Sequence, residues 1–297
     1  MHALRSAAPS AIAAVLTFVL AACGTAPGGS AGPSGSPGGS PTASPTAGGD
    51  TIDHATGATD VVLRLEEGGG FVAPSFFLTQ GPLFTLYGDG TVIARDPSIR
   101  PPVDPNGINL NGPYRTLRLD ENGVQALLRF AVGEGGLGIA RNQYDPGNIA
   151  DAGTSTFTLD AGGVVKTVAV VALGLGAYES SSDRAIVTAM TALRDRLVAF
   201  ATAVGGGPWV PDRYRGMLTD AGGFGPAKAW PWKGVTPADF TTPPDGSFAM
   251  WRTMTTAEAE ALAIPSFEGG IFEIDLKLAD GTTVAFHLRP LWPDEAR

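Results

Sequence analysis

Leu83-Phe84-Thr85-Leu86-Tyr87-Gly88-Asp89-Gly90-Thr91-Val92-Ile93-Ala94-Arg95 decides the fold. Two β-rich runs flank an Asp-Gly pair, and glycine tolerates the positive φ that a tight hairpin turn demands. Asp89 therefore reads as turn chemistry rather than as a ligand. Upstream, Val61-Val62-Leu63-Arg64-Leu65-Glu66 has the period of two of a strand, with Val61, Leu63 and Leu65 toward a core and Arg64 and Glu66 outward. Downstream, Val124, Leu127, Leu128 and Ala131 recur at three-and-four spacing over 122–132, which predicts an amphipathic helix capped by Asp120.

The same grammar continues. Ser155-Thr156-Phe157-Thr158-Leu159 and Val164-Val165-Lys166-Thr167-Val168-Ala169-Val170 form a second hairpin across Asp160-Ala161-Gly162-Gly163. A long helix over 183–203 follows, with Ile186, Met190, Leu193, Leu197 and Phe200 on its apolar face and Arg184, Arg194, Asp195 and Arg196 available to water. Gly205-Gly206-Gly207-Pro208 stops it, because glycine suits a helix C-terminus and proline prevents resumption. After Trp209 the order helix-then-hairpin returns: Thr255-Thr256-Ala257-Glu258 has capping-box spacing, and Phe272, Ile274, Leu276 and Leu278 alternate with polar residues before Val284, Phe286 and Leu288. Arg115-Thr116 and Arg252-Thr253, and Phe157-Thr158-Leu159-Asp160 and Phe272-Glu273-Ile274-Asp275, are the local likenesses between the halves. They read either as an internal pseudo-repeat or as two short units converging on one pattern. The expected class is α+β, antiparallel sheets with helices packed on one face.

The chain's beginning states an address. Arg5 precedes the apolar run 11–20, which is short for a membrane span, and Leu20-Ala21-Ala22-Cys23 has the small residues and cysteine of a lipoprotein cleavage site. Residues 1–22 are read as a signal peptide, and Cys23 as the lipidated N-terminus of the mature chain; the alternative is an ordinary signal peptide with an incidental cysteine. From Gly24 to Gly49 every residue is Gly, Ala, Ser, Thr or Pro, too little apolar surface to offset chain entropy. Residues 23–59 are thus a tether, with a root-mean-square span of roughly 25–30 Å. The expected folded units are 60–207 and a smaller, Trp-rich 208–297.

Cys23 is the one cysteine, so its lipidation leaves no thiol for disulfides, thiolate metal sites or cysteine catalysis. The net charge of −9, one more negative once Arg5 is removed, argues against nucleic acid and against a basic membrane-adhering face. Membrane contact is expected through the N-terminal lipid, on the extracytoplasmic side.

Four stretches carry a resemblance: the opening ten residues of the first hairpin; Gly147-Asn148-Ile149-Ala150-Asp151-Ala152 followed by Thr156-Phe157-Thr158; Trp230-Pro231-Trp232; and Arg289-Pro290-Leu291-Trp292-Pro293-Asp294-Glu295. In this order they resemble a family of uncharacterised secreted lipoproteins of high-GC Gram-positive bacteria. Trp292 departs from the leucine expected in relatives. The resemblance implies location and overall shape, and it brings no catalytic residue.

Signatures of nucleophilic, zinc-dependent or phosphate-binding enzymes are missing: there is no Gly-x-Ser-x-Gly, Ser-x-x-Lys, His-Glu-x-x-His or Gly-x-x-x-x-Gly-Lys. His54 sits at the tether's end and His287 on the polar face of the last strand, where a lone histidine reads as a surface residue. Asp145, Asp151, Asn142, Gln143 and Asn148 share a loop that either ligates calcium through oxygens or serves as turn chemistry, and Asp104-Pro105-Asn106-Gly107 is a turn. No catalytic residue, cofactor or metal is assigned.

All five tryptophans, Trp209, Trp230, Trp232, Trp251 and Trp292, lie in the C-terminal third. Trp230-Pro231-Trp232 reads as a rigid platform on which sugars or peptides stack, or as aromatic filling for a small core. Trp230 and Trp232 are the candidate ligand surface. The functional expectation is a non-catalytic, membrane-tethered module for a protein, peptide or cell-envelope glycan; the alternative is an envelope hydrolase using paired carboxylates.

Overall fold

The computed structural model describes residues 51–147, 149–179, 181–202, 206–220, 226–243 and 248–295. The signal peptide, Cys23 and the Gly24-to-Gly49 run lie outside the described residues. In chain order the elements are β1 (Val61–Gly69), α1 (Pro74–Thr79), β2 (Phe84–Tyr87), β3 (Thr91–Arg95), β4 (Asn109–Leu110), β5 (Tyr114–Arg118), α2 (Glu121–Val132), β6 (Gln143–Tyr144), β7 (Gly153–Ala161), β8 (Val164–Val171), α3 (Arg184–Phe200), β9 (Gly207–Pro208), β10 (Arg213–Asp220), β11 (Ala227–Ala229), β12 (Met250–Thr255), α4 (Thr256–Glu260), β13 (Ile271–Lys277) and β14 (Thr283–Pro290). The fold is α+β with mostly antiparallel sheets.

The hairpin at 83–95 forms as its sequence predicts. The backbone N–H and hydroxyl of Thr91 both donate to the Asp89 carboxylate at 3.0 Å. Gly90 has φ +86, and a Cβ there would lie 2.3 Å from the Leu119 carbonyl oxygen. β2 and β3 sit inside the larger sheet, ordered β6-β8-β7-β1-β2-β3-β5-β9. Phe84, Leu86, Val92 and Ala94 point into a core shared with α2 and α3. Asp120 caps α2 by accepting from Gly123 N–H at 2.8 Å, and α2 buries the predicted Val124, Leu127, Leu128 and Ala131. α3 buries Val187, Met190, Leu193 and Leu197, with Ile186 and Phe200 half-buried at its flank.

This core reaches further back than composition indicates. Ile52 N–H donates to Gln125 Oε1 at 2.9 Å, and Gln125 Nε2 returns a bond to the Ile52 carbonyl at 2.8 Å. The His54 side chain is 4 % exposed, with Nε2 3.3 Å from Glu121. Residues 51–59, which composition assigns to the tether, therefore lie on the fold. A single apolar side chain and a backbone pairing with a distant helix do what local composition cannot foretell.

The smaller sheet runs β11-β13-β14-β10-β12, with β4 also pairing to β13. Tyr214, Leu218, Ile274, Leu276, Phe286 and Leu288 face a second core, to which α4 adds Ala259. The predicted capping box is present: Glu258 N–H donates to Thr255 Oγ1 at 3.2 Å and Thr255 N–H to Glu258 Oε2 at 2.8 Å. The alternation of β13 differs from its simple reading. An irregularity between Ile271 and Ile274 shifts the register, so Ile271 takes the core position and Phe272 is only half-buried. α1 lies against β13 and β14 on the opposite side, near Arg215, Met217 and Arg289. The two sheets exchange material, since β4 comes from the first half of the chain and supplies Leu110 to the second core. Residues Gly49–Arg297 form one compact unit.

The face of the larger sheet that bears Arg64 was expected to meet water. It meets the C-terminal turn instead. Tyr87, Ile93 and Tyr114 form a third core around Trp292, which is 1 % exposed, flanked by Trp209 and Val61. The Trp292 ring stands edge-on to Tyr114 at 5.0 Å and 5.6 Å from Trp209. Gly81 makes the room: a Cβ there would come within 1.9 Å of the indole. Arg64 and the Tyr87 hydroxyl both donate to Asp294 Oδ1 at 2.7 Å. Burial, then this bond to a carboxylate, pushes the Tyr87 phenol far up, so it stays a donor. Arg289 donates two bonds to Glu295, at 2.6 and 2.7 Å, and Trp292 N–H donates to Glu295 at 3.2 Å.

Two outcomes follow from this turn. Trp292→Ala is expected to lower stability by about 3–5 kcal/mol in urea unfolding, the range for deleting a buried large aromatic, and by more than Trp251→Ala, whose ring is half-buried. The second concerns pH. Burial alone would raise the Glu295 carboxyl, but the bonds and charge of Arg289, with Trp292 N–H and Arg215, outweigh it and hold it below its ordinary 4.5. The folded state then binds fewer protons than the unfolded chain, so stability present above about pH 4.5 drains away as pH falls through the folded value. Glu295→Gln should be less stable at pH 7 and show a shallower acid limb in thermal melts; an unchanged limb would exclude Glu295 as its source.

Candidate functional site

The Trp230-Pro231-Trp232 segment follows β11, an edge strand held parallel to β13 by the register Ala227↔Asp275 to Ala229↔Lys277. Trp230 N–H donates to the Lys277 carbonyl at 3.0 Å and continues that alignment. Proline fixes the turn between the rings, which meet edge-on at 4.9 Å. Both indole N–H groups are engaged by backbone: Trp230 Nε1 donates to Val235 O at 2.7 Å and Trp232 Nε1 to Glu258 O at 2.8 Å. Trp232 is buried at 8 % exposure and packs on Phe286 at 5.3 Å, while Trp230 is half-buried. The two readings of this motif are thus divided between its rings. Trp232 belongs to the second core, and Trp230 joins that core to the wall of a groove.

That groove has a volume of about 730 Å³ and runs between β11, the Trp230 segment and the turn after β13. Lys228, Lys233 and Lys277 line it, with Asp280 as the carboxylate on its lining. Lys228 Nζ donates to the carbonyls of Leu262 and Ala263, at 2.9 and 3.3 Å, closing the chain just past α4. Lys233 and Lys277 are exposed and have no hydrogen bond or ion pair among the described residues. The Asp280 carboxylate accepts from Thr282 N–H at 2.9 Å, and that bond holds it below its ordinary range. The lysines were not singled out in the sequence. Their scarcity was the available signal, because the chain has four and three lie near the tryptophan pair.

The remaining tryptophans lie elsewhere. Trp209 and Trp292 belong to the third core, and the Arg215 guanidinium covers Trp251 at 4.1 Å. The calcium alternative for the loop around Asp145 gains no geometry: Asp145 accepts from Gly147 N–H at 2.8 Å as turn chemistry, and Asn148 lies outside the described residues. Asp104 likewise accepts from Asn106 N–H at 2.8 Å. Among the described residues no group of three or more His, Cys, Asp or Glu is placed to hold a metal, and no helix is long and apolar enough to cross a membrane.

His287 requires a correction. Its place opposite the core-facing residues of β14 led to a surface assignment, yet it is 1 % exposed. Its Nδ1 lies 2.5 Å from the Phe272 carbonyl, which only accepts, so Nδ1 carries the proton and Nε2 accepts from Thr219 Oγ1 at 3.0 Å. This ring borders a second, more apolar cavity of about 810 Å³ walled by Leu78 of α1, Phe248, Met250 and Val284. With both nitrogens engaged, it is a structural residue in this arrangement. Alternation predicts which face a residue takes, and only the packing of α1 decides whether that face is wet.

Compared with protein-family profiles, curated proteins and solved structures, the chain matches none, so the reading of the groove rests on its own geometry. For His287, burial lowers the pKa from 6.5 despite the opposing Phe272 bond and Glu273 charge. The folded ring then binds protons less readily than the unfolded one, so its contribution to stability is lost as pH falls below about 6.5. In an NMR titration its midpoint should fall below 6.5; a midpoint at or above that value would mean a solvated ring.

Proposed function

We propose that this protein is a non-catalytic binding module of the cell envelope, held to the extracytoplasmic face of the membrane through a lipid on Cys23, with its ligand seated in the groove beside Trp230. The ligand class is an envelope protein, peptide or glycan. The observation that carries this reading is the groove itself: a concave surface of ligand size, one wall of which is an indole whose N–H is already fixed by Val235, leaving ring surface free for contact. Support for the address comes from Leu20-Ala21-Ala22-Cys23 and the uncharged run behind it. A hydrolase working through paired carboxylates calls for two acids in one cleft. The lining of the Trp230 groove offers Asp280, already engaged by Thr282, whereas Asp220 and Glu273 share the lining of the cavity beside His287, which is where that second reading would place its acids.

Crosslinking and pull-down from intact cells test the reading. Trp230→Ala is the informative substitution, since Trp232 is too deep in the core to replace without unfolding. A Trp230→Ala protein of confirmed folding should lose the crosslinked partners of the wild type, whereas an unchanged partner set would remove the groove from consideration. Cys23→Ala should abolish the acyl mass increment and move the protein out of the membrane fraction.

A further inference from the structure

Lysine is rare in this chain: Lys166, Lys228, Lys233 and Lys277 are the four. Two of them have backbone work. Lys166 Nζ donates to the Leu137 and Gly138 carbonyls, at 3.0 and 3.4 Å, beyond the end of α2, and Lys228 does the same past α4. The other two, Lys233 and Lys277, have no partner among the described residues, and both line the Trp230 groove. Lys228, Lys233 and Lys277 thus line one groove whose own carboxylate is Asp280, with Asp239 held by Thr236 at its edge, on a chain whose net charge is −9. An acidic protein that gathers its scarce, unpaired cations beside an aromatic wall presents a local field opposite in sign to its own.

Resting on the reading of this groove as the ligand site, we propose that it takes an anionic saccharide chain, one bearing carboxylates or phosphodiesters. The ring face of Trp230 supplies an apolar plane with its N–H already tied, which suits the C–H face of a sugar ring. Lys233 and Lys277 supply point charges on flexible stems that meet acidic groups spaced along the chain. A purely apolar ligand would leave these two ammoniums without a counterion, and a cationic one would be repelled by them. An acidic peptide shares the charge but not the fit to a flat indole, so it is an outcome of the test and not the proposal.

The test uses the full-length mature lipoprotein in detergent micelles, titrated by calorimetry with an oligogalacturonate, a neutral malto-oligosaccharide of equal length, and an oligoglutamate. The oligogalacturonate should bind, more weakly as salt rises. Lys233→Gln and Lys277→Gln should each weaken it about three- to five-fold, as expected of solvent-exposed charge pairs, while Lys166→Gln leaves it unchanged. Equal binding of the malto-oligosaccharide would overturn the requirement for charge, and equal binding of oligoglutamate the requirement for sugar. If none of the three binds while Trp230→Ala still loses its crosslinked partners in cells, the anionic-saccharide assignment fails and the groove reading stands. If those partners also persist, the groove reading fails with it.

Discussion

Trp292 is the largest fully buried side chain among the described residues, and it lies five residues from the end of the sequence. Its ring fills the space over Tyr87, Ile93 and Tyr114, on the side of the larger sheet that has no helix in the first core. Without it that face would present a wet, aromatic hollow. The indole is secured less by its own polar atom, which has no partner among the described residues, than by its neighbours. Arg289 grips Glu295, Glu295 accepts from Trp292 N–H, and Asp294 takes bonds from Arg64 and Tyr87. These are charge-assisted bonds in partly buried surroundings, about twice as strong as neutral ones. They fix the C-terminal turn to a strand near the start of the folded unit.

That turn helps to join residues Gly49–Arg297 into one compact unit. Arg289 and Pro290 end β14 of the smaller sheet, and of the residues that follow, Trp292 packs on Tyr87, Ile93 and Tyr114 and Asp294 takes bonds from Arg64 and Tyr87, all of the larger sheet. The pairing of β4 with β13 works in the opposite direction, carrying residues of the first half into the second core. Chain connectivity alone would permit two independent halves. A strand passes one way and a turn the other, so each half contributes side chains to a core of the other.

The groove is a different kind of construction. Its floor is tied by main-chain acceptors: Val235 O and Glu258 O hold the two indoles, and Leu262 O and Ala263 O hold Lys228. Such bonds orient the walls while leaving the half-buried Trp230 on the groove lining and two ammoniums unpaired among the described residues. A ligand proposed for this groove would be selected by its shape and charge. The tension between an acidic chain and a cationic groove is what gives the site its selectivity in the reading offered here.

Much of the architecture was legible in the residues themselves. Local physics sets the Asp89-Gly90 turn, the Asp120 cap, the Thr255–Glu258 box and the apolar stripes of α2 and α3, because each depends on atoms a few positions apart. Periodicity also sorted many strand residues between two faces, failing where a bulge shifts the register, at Phe272 of β13 and at Val61 of β1, which packs with Trp292 and not with Leu63 and Leu65. What it could not do is say which faces are covered. Arg64 and His287 both read as outward, and both are shielded by segments distant in sequence, the C-terminal turn in one case and α1 in the other. The bulge in β13 and the docking of Ile52 on Gln125 escaped for the same reason, since both are fixed by partners far along the chain. The tryptophan pair was visible as a candidate, but not the division of its two rings between core and groove, nor the meeting of Lys233 with Lys277. The sequence by itself determined elements and caps, because these depend on neighbours a few positions apart. Only the tertiary structure decided burial and convergence, because these depend on which surfaces the folded chain brings together.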